Sequence, residues 1–184
     1  MRRLAPIIAG LILFFTIAEE ANAAIPPILR RGTRRMWAGG AFGPSFWMET
    51  GGGTQIKLTQ TFGFHFKRSA EGPALAFDLS ESFGSGVTVL QITPRFVWDI
   101  PIIDGLGFYL SPDAGIGFAH AFYSRGYYYA SGGASAFEIK FSFKGKLILG
   151  DRGYVYMQPI GVDILIGNST TARWDFMFGG GVTF

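Results

Sequence analysis

172-ARWDFMFGGGVTF-184 alternates with a period of two. Trp174, Phe176, Phe178, Val182 and Phe184 take one face, and Arg173, Asp175, Met177 and Thr183 the other. This is the pattern of a strand with one apolar face, and it recurs along the chain. Working back from it, the alternation predicts eight strands over 36–46, 54–67, 74–84, 87–100, 106–119, 135–149, 153–166 and 172–184. The second sets Ile56, Leu58, Phe62, Phe64 and Phe66 against Gln55, Lys57, Thr59, Thr61, Gly63, His65 and Lys67. The sixth sets Phe137, Ile139, Phe141, Phe143, Leu147 and Leu149 against Glu138, Lys140, Ser142, Lys144 and Lys146. In the fourth, Leu90, Ile92, Phe96 and Trp98 oppose Gln91, Thr93, Arg95 and Asp99, and in the fifth Phe108, Leu110, Ile116 and Phe118 oppose Tyr109, Ser111, Asp113, Gly115 and Gly117. No long helical period competes with these.

Ahead of the strands, residues 1–23 hold basic Arg2 and Arg3, an apolar run from Leu4 to Ala18, and Ala21-Asn22-Ala23. These are the three parts of a secretory signal peptide, with cleavage expected after Ala23. The run is about 15 residues, short of the roughly 20 that a spanning helix needs, and no long apolar run follows it. The expected layout is a signal peptide over 1–23, a basic periplasmic tail over 24–35 and one barrel domain over 36–184. The formal net charge is only +3, with much of the basic excess in Arg30-Arg31 and Arg34-Arg35, so no nucleic-acid partner is expected. There is no cysteine, which excludes disulfides and thiolate metal sites. An exported chain with 27 Gly, 19 Phe and no spanning helix is either a soluble β-protein or an outer-membrane barrel.

Alternation alone does not say which face points out, and a lipocalin-like barrel turns its apolar face inward. Three features argue for apolar-out. A 14-residue strand tilted near 40° rises roughly 35 Å, enough for the ~25 Å apolar band of an outer membrane, whereas globular strands average about 5–6 residues. The polar face is rich in glycine and small residues, as a narrow interior requires. Its charges are of mixed sign: Lys57, Arg95, Lys140, Lys144 and Arg173 with Asp78, Asp99, Asp113, Glu138, Asp163 and Asp175. A closed interior can satisfy these by pairing.

The connections test this independently. With the N-terminus periplasmic, the periplasmic turns are 68–73, 101–105 and 150–152, and the outer loops 47–53, 85–86, 120–134 and 167–171 include the longest connection. Trp98, Tyr154, Tyr156 and Phe184 then fall near the periplasmic interface, and Trp47, Phe118 and Trp174 near the outer one, as aromatic girdles. Pro44, Pro94, Pro112 and Pro159 lie inside strands of a barrel that has no free edge, so bulges are expected to absorb them. Glu81 and Gln158 fall on the lipid-facing parity, which predicts a register change near each or, for Glu81, headgroup depth.

The signal, the eight alternating segments and the aromatic C-terminus together resemble the small outer-membrane barrels of the OmpA/OmpX type, over nearly all of the chain after the signal. The resemblance implies residence in the outer membrane of a Gram-negative bacterium, with outer-membrane lipids and lipopolysaccharide as surroundings. It implies too that the terminal strand is read by the barrel-assembly machinery, for which Phe178, Val182 and Phe184 match the pattern. No periplasmic appendage is expected after Phe184. The resemblance is poor in function, because the family includes anchors, adhesins, resistance proteins and lipid-modifying enzymes.

The loop 120-HAFYSRGYYYASGGA-134 is the main candidate contact region. Tyr123, Tyr127, Tyr128 and Tyr129 around Arg125 make an amphipathic surface suited to sugars, lipid headgroups or proteins. The bland reading is an interfacial girdle continued above the membrane. His120 and Ser124 invite a second reading, in which the histidine activates the serine to attack a lipid ester. Barrel lipid A deacylases carry a His-x-Ser pair with a supporting acid. Here the spacing is His-Ala-Phe-Tyr-Ser, and no partner acid can be placed. His65 reads as a hydrogen-bonded interior filler, and Arg95, Lys140, Arg173, Asp78, Glu138, Asp163 and Asp175 as an interior charge network. No metal site or cofactor is expected. The sequence thus predicts a monomeric, antiparallel up-and-down eight-stranded transmembrane β-barrel. Its expected role is non-enzymatic, in envelope integrity or surface interaction; the alternatives are a lipid-modifying acyl hydrolase or transferase and a narrow channel.

Overall fold

Strands with one apolar face cannot bury it singly, and short turns make neighbours in sequence neighbours in space. In the computed structural model, which describes residues 32–49, 53–84, 86–102, 106–124, 131–150 and 152–184, consecutive strands pair antiparallel and the eighth closes on the first. They are β1 (Met36–Trp47), β2 (Thr54–His65), β3 (Gly72–Gly84), β4 (Val87–Pro101), β5 (Phe108–Ser124), β6 (Ser131–Leu149), β7 (Gly153–Ile166) and β8 (Thr170–Thr183). One row of partners runs from Trp37 through Gly63, Ala76, Arg95, Gly115, Lys140, Asp163 and Arg173, and returns to β1 at Trp47. The circuit advances β1 by ten residues, a stagger that tilts the strands about 40° from the barrel axis.

The two faces are inverted relative to a water-soluble barrel. Exposed residues include Phe42, Ile56, Leu58, Phe62, Phe77, Leu79, Ile92, Phe96, Phe118, Phe141, Ile160 and Phe178, spread over all eight strands. Buried ones include Lys57, Asp78, Arg95, Asp99, Glu138, Lys140, Asp163, Arg173 and Asp175. A continuous apolar girdle around a charged interior is stable only where the surrounding solvent is hydrocarbon. The fold is therefore a transmembrane β-barrel.

Several expectations are corrected. Tyr154 and Tyr156 do not join the periplasmic girdle: Tyr154 is buried, and Tyr156 packs against the same inner cluster. The register change expected near Gln158 is present: a bulge in β7 between Gln158 and Gly161 reverses the side-chain parity and turns Gln158 inward along with the tyrosines. Glycines on the inner face of the β8–β1 seam make the room. A Cβ on Gly39 would collide with the Tyr154 hydroxyl, and one on Gly179 would lie 2.5 Å from the Tyr156 ring. Trp47 also turns inward, against the cluster of Val89, Ala119 and Leu165. Glu81 keeps its parity and stays exposed near the end of β3 that carries the long loops.

Bulges do not absorb all four prolines. Pro159 lies within the β7 bulge. Pairing of Pro44 with β8 and of Pro94 and Pro112 with β4–β5 lapses for two residues and resumes in the same register. A missing donor there costs a local gap and no shift.

β5 and β6 run further than the sequence predicts, pairing from Phe108↔Leu147 out to Ser124↔Ser131. Residues 120–124 and 131–134 therefore belong to strands, and only 125–130 separates them. The Gly132-Gly133 pair reads as loop but pairs with Tyr123 and Phe122, because the partner strand supplies the ladder. At the end bearing the termini, residues 32–35 are tied to the barrel rather than free. Gly32 N donates to the Tyr109 hydroxyl at 3.2 Å, and Arg35 Nε donates to the His65 carbonyl at 2.6 Å. The signal peptide and the rest of the basic tail lie outside the described residues.

Candidate functional site

Inward positions of neighbouring strands meet across a narrow lumen, so their charges form three storeys. Nearest the termini, Asp99 accepts from His65 Nε2 at 2.7 Å and from Lys146 and Ser111. The Lys146 ammonium lies 5.4 Å from the Trp37 ring centre and 5.5 Å from that of Tyr109. In the middle storey Arg95 bridges two carboxylates, Asp78 at 2.7 Å and Asp113 at 2.8 Å. Lys140 adds to Asp78 at 3.2 Å, Lys144 to Asp113 at 2.8 Å, and Thr61 and Ser142 complete the two acceptors. In the upper storey Lys57 contacts Asp163 and reaches Asp175 at 2.6 Å. Arg173 spans to Asp163 at 3.1 Å and donates to the side-chain Oε1 of Gln91 at 2.6 Å, while Glu138 accepts from Gln91 Nε2 and Thr93 Oγ1 at 2.5 Å each. All seven residues named for an interior network lie in the upper two storeys.

Each of these buried charges lies in an ion pair except Glu138, which is held by the neutral donors Gln91 and Thr93, and this pairing offsets the desolvation that burial costs. The spaces left among these side chains are small, about 30 Å³ beside Arg95 and Lys146 and about 10 Å³ beside Lys57 and Asp78. That is room for about one or two waters. Among the described residues the lumen is a packed plug.

Above Arg173 the inner face changes character. Val89, Ala119 and Leu165 form a buried apolar cluster with Trp47, Val87, Ala121 and Ala136 against it, and the Arg173 guanidinium lies 5.2 Å from the Trp47 ring centre. Because four inward positions of β5 and β6 are alanine, a cavity of about 310 Å³ remains at the mouth. Glu49, Tyr123, Asn168, Ser169 and Thr171 line its wetter rim. An apolar floor under a polar rim is the usual make-up of a recognition pocket. Sequence reasoning missed this cavity. Its signal was the run of inward alanines at 119, 121, 134 and 136, hidden because two of them were read as loop.

Of the tyrosine surface, Tyr123 is exposed and lines this mouth; Arg125, Tyr127, Tyr128 and Tyr129 lie outside the described residues. His120 and Ser124 both belong to β5, with Cα atoms about 13 Å apart along the extended strand. His120 sets Nδ1 2.9 Å from Ser135 Oγ on β6 and its ring edge-on to Phe122 at 4.5 Å. Phe178, Val182 and Phe184 are exposed on the outer face, and Phe184 exchanges backbone hydrogen bonds of 2.9 Å with Met36.

No family model matches the chain, and no curated protein matches it in sequence. Solved structures do match in shape. Neisserial surface protein A (NspA) superposes with a TM-score of 0.69 at 8% identity, over 81% of this chain and 97% of that one. The N-terminal β-barrel domain of Pseudomonas aeruginosa OprF does so with 0.59 at 14%, over 82% and 98%. Ail, the attachment invasion locus protein of Yersinia pestis, gives 0.57 at 12%, over 82% and 99%. At such identities the likeness is one of fold, and that fold is the small eight-stranded outer-membrane barrel of the OmpA/OmpX type.

Proposed function

We propose that this protein resides in the outer membrane of a Gram-negative bacterium, exported by a cleaved signal peptide. There it serves without catalysis, in surface contact and envelope integrity, through the end that carries the β5–β6 hairpin. The observation that carries the reading is the contrast along the barrel axis. Below Arg173 the interior is filled by paired charge, and above it a mouth of about 310 Å³ with an apolar floor opens beside Tyr123. A plugged lumen suits neither a conduit nor a buried active site, so the mouth and its rim are the surface left for recognition. The names of a surface protein and an attachment invasion locus protein on the same fold point the same way.

The test exchanges residues 125–130 for a short Gly-Ser turn in the intact protein and compares cells for adherence and for envelope leakage to dyes. Loss of adherence with the barrel still in the outer membrane is the expected result. Adherence and leakage that match the parent, both in the exchanged strain and in a strain lacking the protein, would sink the proposal. Mass spectrometry of envelope lipids with and without the protein tests the lipid-modifying alternative. An acyl chain gained or lost in a manner dependent on His120 would replace the reading.

A further inference from the structure

Gln60 interrupts the lipid-facing surface in the middle of β2. The outward positions of that strand are Thr54, Ile56, Leu58, Gln60, Phe62 and Phe64, and Gln60 is exposed among exposed Ile56, Leu58 and Phe62. With a rise of about 2.5 Å per residue along the axis of a strand tilted near 40°, Gln60 lies about 10 Å from Ile56 and about 15 Å from Phe66. Both of those residues still carry the apolar band, so the Gln60 amide sits in hydrocarbon, away from water and headgroups. It makes no side-chain hydrogen bond among the described residues. An amide without a partner at that depth is strongly unfavourable.

A second, independent feature lies beside it. The partner of Gln60 on β1 is Gly40. A Cβ there would meet only the Thr59 carbonyl oxygen at 3.5 Å, an ordinary contact, and its φ is not in the left-handed region. Nothing inside the barrel requires glycine at this outward position, in contrast to Gly43, where a Cβ would collide with the Phe176 carbonyl. What Gly40 does provide is bare backbone next to the glutamine. The next outward residue on β1, Phe42, is 61% exposed, more than any other large apolar side chain described.

We propose that this face of β1 and β2 docks a second copy of the same chain in the membrane, with the two Gln60 amides paired across a two-fold axis along the membrane normal. A primary amide carries an acceptor oxygen and two donor hydrogens, so it is complementary to itself, and a two-fold axis brings identical residues together. Lipid tails offer neither group. Association within a bilayer relies on close backbone approach at small residues and on polar side chains bonded across the interface; Gly40 and Gln60 supply one of each. The dimer replaces the monomer expected from the sequence and does not depend on the proposed function.

The absence of cysteine makes the test direct. Leu58→Cys and Phe62→Cys flank Gln60 and leave it in place, and Phe141→Cys on β6 marks the opposite wall. Oxidation with copper phenanthroline in native membranes is expected to give dimer at 58 or 62 at least about fivefold above 141. Adding Gln60→Leu is expected to lower that yield severalfold, with heat-shifted gel mobility showing the barrel still folded. Equal yields at the three sites, no dimer at 58 and 62, or a yield indifferent to Gln60→Leu would overturn the proposal. Should a cysteine variant fail to fold, sedimentation of the unaltered protein in detergent decides it: two chains per micelle support the dimer and one chain refutes it.

Discussion

Arg95 shows how much one side chain holds in this barrel. It comes from β4 and joins Asp78 of β3 to Asp113 of β5, all three buried. Arg95→Ala would remove the cation that joins the two carboxylates and leave Asp78 to Lys140 and Asp113 to Lys144. The expected loss is about 3 kcal/mol, read from urea unfolding of protein refolded into lipid vesicles. Combining it with Asp78→Asn and Asp113→Asn would leave Lys140 and Lys144 buried without those partners and should cost more, and a recovery instead would show that the ion pairs are not what Arg95 contributes. Two glycines on β1 give a contrasting pair. Gly43→Ala drives a Cβ into the Phe176 backbone and should block closure of the β1–β8 seam, whereas Gly40→Ala has room and should fold. Heat-shifted mobility on a gel separates the two outcomes. The interior charges were legible in the sequence because period two assigns each to a face. Their partners were not, because Arg173 reaches residues 82 and 91 positions away, set by the circuit of the barrel.

β7 carries one residue more than its alternation allows, and that residue changes the inside of the barrel. The bulge between Gln158 and Gly161 keeps Tyr154 and Tyr156 inward while Ile160 and Val162 face lipid. Deleting Pro159 would remove that extra residue and restore strict alternation with Tyr154 and Tyr156 still facing inward. The deletion variant and Pro159→Ala are both expected to fold, as heat-shifted gel mobility would show. A deletion variant that fails to fold would mean that the bulge itself is needed for the barrel to close. β5 and β6 make a related point. On β6 the inward alanines 134 and 136 lie beyond Phe137, the last strongly apolar outward residue of that strand, so the sequence reads as loop where the ladder persists. Filling the mouth by Ala121→Phe should leave the barrel folded and weaken adherence if the cavity takes part in contact.

The molecule as a whole is an inverted soluble protein, apolar on the outside and held together inside by ion pairs. Three storeys of buried charge, with spaces of about 30 Å³ beside Arg95 and about 10 Å³ beside Lys57, fill the lumen below the apolar mouth. Purified protein in planar lipid bilayers is expected to show no stepwise conductance. Reproducible unit steps would show that the plug opens, and would revive the channel reading.

Alternation of two over strands long enough to cross a bilayer settles much from the sequence alone. Segments such as 54–66 and 172–184 state which residues share a face, and charges on one face with phenylalanines on the other state which solvent each face needs. Tertiary structure decided what period two cannot encode. The bulge at Gln158–Gly161 cancels a parity that composition had read as lipid-facing, since only a partner strand reveals a two-against-one pairing. The ten-residue stagger brings Arg173 beneath Trp47 and joins the charged plug to the apolar mouth. The same closure leaves Gln60 facing hydrocarbon beside a bare glycine, because which side chains meet across strands is fixed by register, and register is a property of the closed barrel.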